Sequence, residues 1–231
     1  TRNWATGLKT GSAWASACRI MADTIVVFGV GPGTGDALIR RFAAAGFRPV
    51  MVARKLDHIG PLAEDIQSRG GKALAATIDI TGEDAVAELF ARAESELGPV
   101  TVTVFNASFR LNKPFADITM AEFQQTLAVN FKGAFLMARE AARRMVPRGA
   151  GSIFFTGAQS TFRGRKNLAA FGMAKAGVRG LALIATSGRF VTGDGYPCGT
   201  PESQIRAMGT MLRGDAQRVL TEFFMIAHKP H

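Results

Sequence analysis

Tyrosine is nearly absent. The chain has one, Tyr196, against 17 phenylalanines in 231 residues, so its aromatic content is almost wholly apolar. Cysteine is as scarce. Cys18 and Cys198 lie too far apart to match a metal-ligand spacing, and they exclude a disulfide framework. Two free thiols fit a reducing compartment, and a cytoplasmic location is expected. His58, His228 and His231 stand in no cluster with acids or thiols, so no metal site is expected. No apolar run approaches the roughly 18 residues of a membrane span. Acid is short relative to base, giving a net charge of +10. The excess is not spread evenly. Residues 21–160 hold 15 basic and 14 acidic side chains, residues 1–20 hold three basic and none acidic, and residues 161–231 hold 10 and 4. A nucleic-acid surface needs a basic cluster with interleaved aromatics. The nearest approach, Arg163, Arg165 and Lys166, reads as a solvated loop near an anionic cofactor.

A hydrophobic share of 47% at this length suits one α/β domain with a full core. The stretch that organises it is Thr24–Gly35, T-I-V-V-F-G-V-G-P-G-T-G. Thr24–Phe28 is a short β-branched run, as in a strand buried on both faces. Gly29, Gly31, Gly33, Thr34 and Gly35 form a turn, and apolar residues then recur at helical spacing from Asp36 to Ala45. Strand, glycine turn and helix make the front of a dinucleotide-binding βαβ unit. The glycines allow close approach of a pyrophosphate, and the helix N-terminus stabilises the anion.

The remainder alternates. Strands are predicted at Phe47–Ala53, Lys72–Ile78, Val100–Phe105 and Ser152–Thr156. Helices are predicted at Ile59–Arg69, at Gly82–Leu97 with Thr81 as cap, at Met120–Val146 as one stretch ending before Pro147, and at Asn167–Ala185. This order implies a doubly wound parallel sheet, a three-layer Rossmann fold, over residues 21–187. Arg54 and Lys55 follow the second strand, where a cation favours the 2′-phosphate of NADP over the 2′-hydroxyl of NAD. Residues 1–20 have no clear period, are too polar for a secretory signal, and read as a disordered extension. Residues 188–231 are rich in glycine and proline at first and then helical over Gln204–Ala227, an atypical segment expected to pack on the same domain.

Taken together, Met21 to Ser187 resembles the short-chain dehydrogenase/reductase family, of the classical type. Gly29-x-x-x-Gly33-x-Gly35 matches its glycine motif. Asp79, followed by Ile80, matches the acid that contacts adenine. Asn106-Ala107-Ser108 resembles the asparagine-alanine-glycine motif after the fourth strand. Asn130 sits in the matching helix, and Lys175 is the lysine of the tyrosine-x-x-x-lysine motif. The resemblance implies cofactor contacts from the glycine turn, Arg54, Lys55, Asp79, Ile80, Asn106, Ala107 and Lys175, with Asn130 and Lys175 as catalytic positions. It also implies a homodimer or homotetramer paired through the two long helices. The chain departs from the family at the chemistry. The tyrosine position holds Phe171 and the serine position Ala158. Ser160, Thr156 and Thr161 are near enough in sequence to replace the serine.

Two functions follow from these residues. One is an NADP(H)-dependent oxidoreductase acting on a carbonyl or alcohol of a small molecule, with altered acid–base residues. Water, Lys175 or a displaced hydroxyl would then supply the proton. The other is an NADP(H)-binding protein without turnover, a sensor or a partner subunit. After Ser187, a shifted reading frame would produce the same loss of strand pattern and the same basic bias.

Overall fold

The computed structural model describes residues 23–185. The expectations for residues 1–20 and 188–231, Tyr196 and both cysteines among them, fall outside the described residues. In chain order the elements are β1 Thr24–Phe28, α1 Thr34–Ala44, β2 Arg48–Ala53, α2 Leu56–Ser68, β3 Leu74–Thr77, α3 Glu83–Leu97 and β4 Val100–Phe105, followed by α4 Met120–Leu127, α5 Gly133–Arg148, β5 Ser152–Phe155 and α6 Ala169–Ala185. The five strands form one parallel sheet in the order β3-β2-β1-β4-β5. This is the doubly wound Rossmann arrangement that the strand–helix alternation implies.

The pleat of β1 explains both helical layers. Ile25 and Val27 point to one face and pack with Ile39 of α1 and with Ile59 and Leu62 of α2. Val26 and Phe28 point to the other and pack with Leu89 and Phe90 of α3, Met137 of α5 and Val178 of α6. Each fully buried Val, Ile or Phe contributes roughly 1.5–3 kcal/mol relative to exposure. A continuous apolar strand is thus the sequence form of a two-sided sheet. Among the described residues no helix is long and apolar enough to cross a membrane.

Several element ends differ from expectation by one to three residues, the start of α2 at Leu56 and the limits of β3 at Leu74 and Thr77 among them, and four further differences have a visible local cause. Thr81 does not cap α3. Its backbone N–H and hydroxyl both donate to Asp79 Oδ1, at 2.9 and 2.8 Å, and Gly82 takes the cap position. The stretch from Met120 is interrupted by a wide turn with i→i+5 bonding, Ala128–Lys132, which separates α4 from α5. Pro147 does not end α5. It lies in the last turn, and the chain leaves through Gly149 in the left-handed conformation at φ 63°. Finally, α6 begins at Ala169, not Asn167, because Asn167 is itself left-handed at φ 63°.

Candidate functional site

The sheet order reverses between β1 and β4, and in open α/β sheets the crevice beyond the C-terminal strand ends at that point holds ligands. Gly29 leaves β1 at φ 88°, and its N–H donates to the Val52 carbonyl at 2.8 Å. A side chain there would collide with the Ala107 backbone. Gly35, buried in the first turn of α1, is equally constrained: a Cβ would sit 2.7 Å from Val30 Cα. Gly31 and Gly33 differ, since a Cβ at either meets nothing within 4 Å. Two glycines of the motif therefore serve packing and two border open space. Among the described residues no side chain caps α1; the Asp36 N–H donates to the Gly31 carbonyl at 3.1 Å, which leaves the amides of Thr34 and Gly35 available to an anion.

Arg54 and Lys55 are exposed just past β2, and among the described residues neither forms an ion pair. Beyond β3, Asp79 is held ionised. The Thr81 backbone N–H, then its hydroxyl, and the charge of Lys132 lower the carboxyl below its ordinary range. Ile80 lies against Gly133 at the start of α5, where a Cβ would come within 3.2 Å of the Ile80 carbonyl.

The loop after β4 is tied down from three sides. Asn106 N–H donates to the Phe28 carbonyl, and its Nδ2 donates to the Gly29 carbonyl, each at 2.8 Å. Asn130, fully buried in the wide turn, donates from Nδ2 to the carbonyls of Phe109 and Thr126, both at 2.8 Å, and accepts from Phe109 N–H at 3.2 Å. Both amide hydrogens are thus engaged with backbone, so the Asn130 side chain shapes the loop. Farther along, Lys113 N–H donates to the Asn167 carbonyl at 2.8 Å. Its ammonium bonds both Glu122 oxygens at 2.9 Å. Glu122 also accepts from the backbone and hydroxyl of Thr119, and these contacts push its carboxyl down to about 2.

Lys175 lies in α6 with only 3% of its surface exposed. Its Nζ donates to the Thr156 carbonyl at 2.9 Å and lies 5.8 Å from the centre of the Phe171 ring. Burial pushes the ammonium below the ordinary lysine range. Phe171 is buried at its side and brings no hydroxyl. Ala158 is extended, and the Thr161 hydroxyl accepts from its N–H at 3.3 Å. Of the three hydroxyls near the serine position, that of Thr161 is therefore engaged locally. Among the described residues Ser160 Oγ is buried without a partner, its residue packed against Gly172. Only the Thr156 hydroxyl reaches the crevice, donating to Asn106 Oδ1 at 3.0 Å. The structure thus joins Gly29, Asn106 and Lys175 through Thr156, a residue the sequence motifs do not mark as the anchor. No signal short of the sheet order would have revealed it.

The family model described as short chain dehydrogenase matches residues 23–186. A short-chain dehydrogenase/reductase of Armillaria gallica is 31% identical over 164 residues, covering 69% of this chain and 62% of the relative. Among solved structures, a short-chain dehydrogenase from Rhodopseudomonas palustris superposes with a TM-score of 0.69 at 32% identity, covering 73% of this chain and 79% of that one. A metagenomic short-chain oxidoreductase in complex with NADP gives 0.67 at 27% identity, covering 71% and 75%. The chain spans less than two thirds of the length of the first curated relatives it matches.

Proposed function

Because this chain belongs to the short-chain dehydrogenase family, we propose that it is an NADP(H)-dependent oxidoreductase for a carbonyl or alcohol of a small molecule, with altered acid–base residues. The observation that carries this reading is the crevice itself. Open space over Gly31 and Gly33 adjoins an uncapped helix N-terminus, with two exposed cations after β2 and a buried lysine across β4. Bound there, the cofactor would supply hydride chemistry. Gly31, Gly33 and the first amides of α1 would hold its pyrophosphate, Arg54 and Lys55 its 2′-phosphate, and Asp79 with Ile80 would border its adenine. Lys175 would hold the nicotinamide ribose. Phe171 and Ala158 leave no phenol and no serine for the substrate oxygen, so the proton falls to Lys175 or to water.

NADPH is expected to bind at least about tenfold more tightly than NADH, because two cations on one phosphate form charge-assisted hydrogen bonds. Cofactor fluorescence titrations at low and moderate salt measure this, and Arg54→Ala with Lys55→Ala should remove most of the difference. Equal affinities for the two cofactors would refute the assignment. A panel of aldehydes and ketones with NADPH then tests turnover. The same two missing hydroxyls support a second reading, a protein that binds NADP(H) without using it.

Self-association is part of the same proposal. Phe131 in the wide turn, Phe135 in α5 and Met173 in α6 stand exposed, and Gly177 is close enough to Phe131 that a Cβ there would meet its ring at 3.0 Å. A second copy would cover these side chains by close helix packing. Sedimentation at micromolar concentration should give a species larger than the 24.6 kDa monomer, and a monomer alone would refute pairing.

A further inference from the structure

We propose that Thr156 is a positioning residue for Lys175: its hydroxyl, clamped by Asn106, fixes the carbonyl on which the lysine rests. The inference rests on the reading that Lys175 serves the cofactor crevice. Four residues, three of them just past the ends of the adjacent strands β1, β4 and β5 and the fourth in α6, form one connected path. Asn106 Nδ2 donates to the Gly29 carbonyl at 2.8 Å, Thr156 Oγ1 donates to Asn106 Oδ1 at 3.0 Å, and Lys175 Nζ donates to the Thr156 carbonyl at 2.9 Å.

Each link constrains the next. An amide can be turned end for end, and the Gly29 carbonyl, which can only accept, selects the orientation with Nδ2 towards the glycine turn; Oδ1 then faces β5, where the Thr156 hydroxyl donates to it. Thr156 lies just past the end of β5, which among the described residues pairs only with β4. There the main chain is held by one backbone bond, Thr156 N–H to the Phe105 carbonyl at 2.9 Å. The hydroxyl adds a second restraint on the same residue. A buried ammonium needs a fixed acceptor, because leaving it unpaired costs far more than an ordinary lost hydrogen bond. Among the described residues the Thr156 carbonyl is the one hydrogen-bond acceptor Lys175 has. Loss of the hydroxyl should therefore loosen the lysine at one end of the path and the Gly29 carbonyl at the other.

The test uses the full chain as Thr156→Val and Thr156→Ser. The first removes the hydroxyl at nearly constant shape, and the second keeps it. Acylation of Lys175 by acetic anhydride, followed by mass spectrometry of its peptide, reports the lysine without reference to activity. Thr156→Val should label at least about threefold faster than the natural chain, as expected for loss of roughly one hydrogen bond of restraint, with Thr156→Ser close to it. NADPH affinity should fall and recover in the same order. Asn106→Ala removes the same bond from the other side and should accelerate labelling equally, which covers a valine variant that fails to fold. Labelling unchanged in both variants that lack the bond overturns the proposal. So does acceleration in Thr156→Val that Thr156→Ser shares. Lys175→Met tests the underlying reading separately: undiminished NADPH binding would remove Lys175 from the cofactor site while leaving the labelling result intact.

Discussion

Phe171→Tyr together with Ala158→Ser is expected to raise carbonyl reduction at least about tenfold over the natural chain, a small part of the 10²–10⁴-fold that acid catalysis can give. Residue 171 is one helical turn before Lys175, and its ring centre already lies 5.8 Å from Nζ. A phenol there would have a pKa of about 10 in isolation. A nearby ammonium favours the phenolate and would lower it towards neutrality. The serine would donate to the substrate oxygen as charge develops. Both hydroxyls act on one oxygen, so the double variant should differ from the product of the singles. Phe171 is buried, so its new hydroxyl must reach the crevice. If it faced the core instead, unfolding measurements would show a loss of about 1–3 kcal/mol. NADPH oxidation over a panel of aldehydes and ketones measures the gain. A double variant that binds NADPH but gains nothing would favour cofactor binding without turnover. Robust turnover by the natural chain that survives Lys175→Ala would place the chemistry elsewhere.

Gly33 and Gly35, two positions apart in the motif, should respond in different ways, although both belong to one sequence pattern. Gly33→Val should reduce binding of either cofactor at least roughly hundredfold, since its side chain would fill the space left for the pyrophosphate. The fold should persist with a loss on the order of 1 kcal/mol, the cost of a poorer N-cap. Gly35→Val should damage the fold itself. Its Cβ would fall 2.7 Å from Val30 Cα and 2.8 Å from the Gly29 carbonyl, both backbone atoms with no freedom to rotate away. A destabilisation of about 3 kcal/mol or more is expected. Thermal unfolding and NADPH titration of the two variants separate the effects. Cofactor binding by Gly33→Val at the natural affinity would show that the crevice over this turn is not the pyrophosphate site.

Much of the fold was legible because it is written in neighbouring residues. The continuous apolar run of β1 announces a strand buried on both faces, and β1 and β4 both have the predicted limits. The glycine turn between a strand and a helix identifies the crevice, and the alternation of elements implies the parallel sheet. Boundaries set by geometry beyond the local pattern were not legible. Thr81 looks like a cap until Asp79 takes its hydroxyl, and Pro147 looks like a stop although one missing N–H in a last turn does not end α5. The roles of the site residues depend on tertiary structure still more. Asn130 binds the backbone of Phe109, 21 positions away, Thr156 meets Asn106 across 50, and Lys175 finds its acceptor 19 positions earlier. Composition and spacing state which groups are available, but a hydrogen bond depends on distance and direction. Those were decided by the placement of β4 between β1 and β5, which brings the ends of three strands to one edge of the sheet.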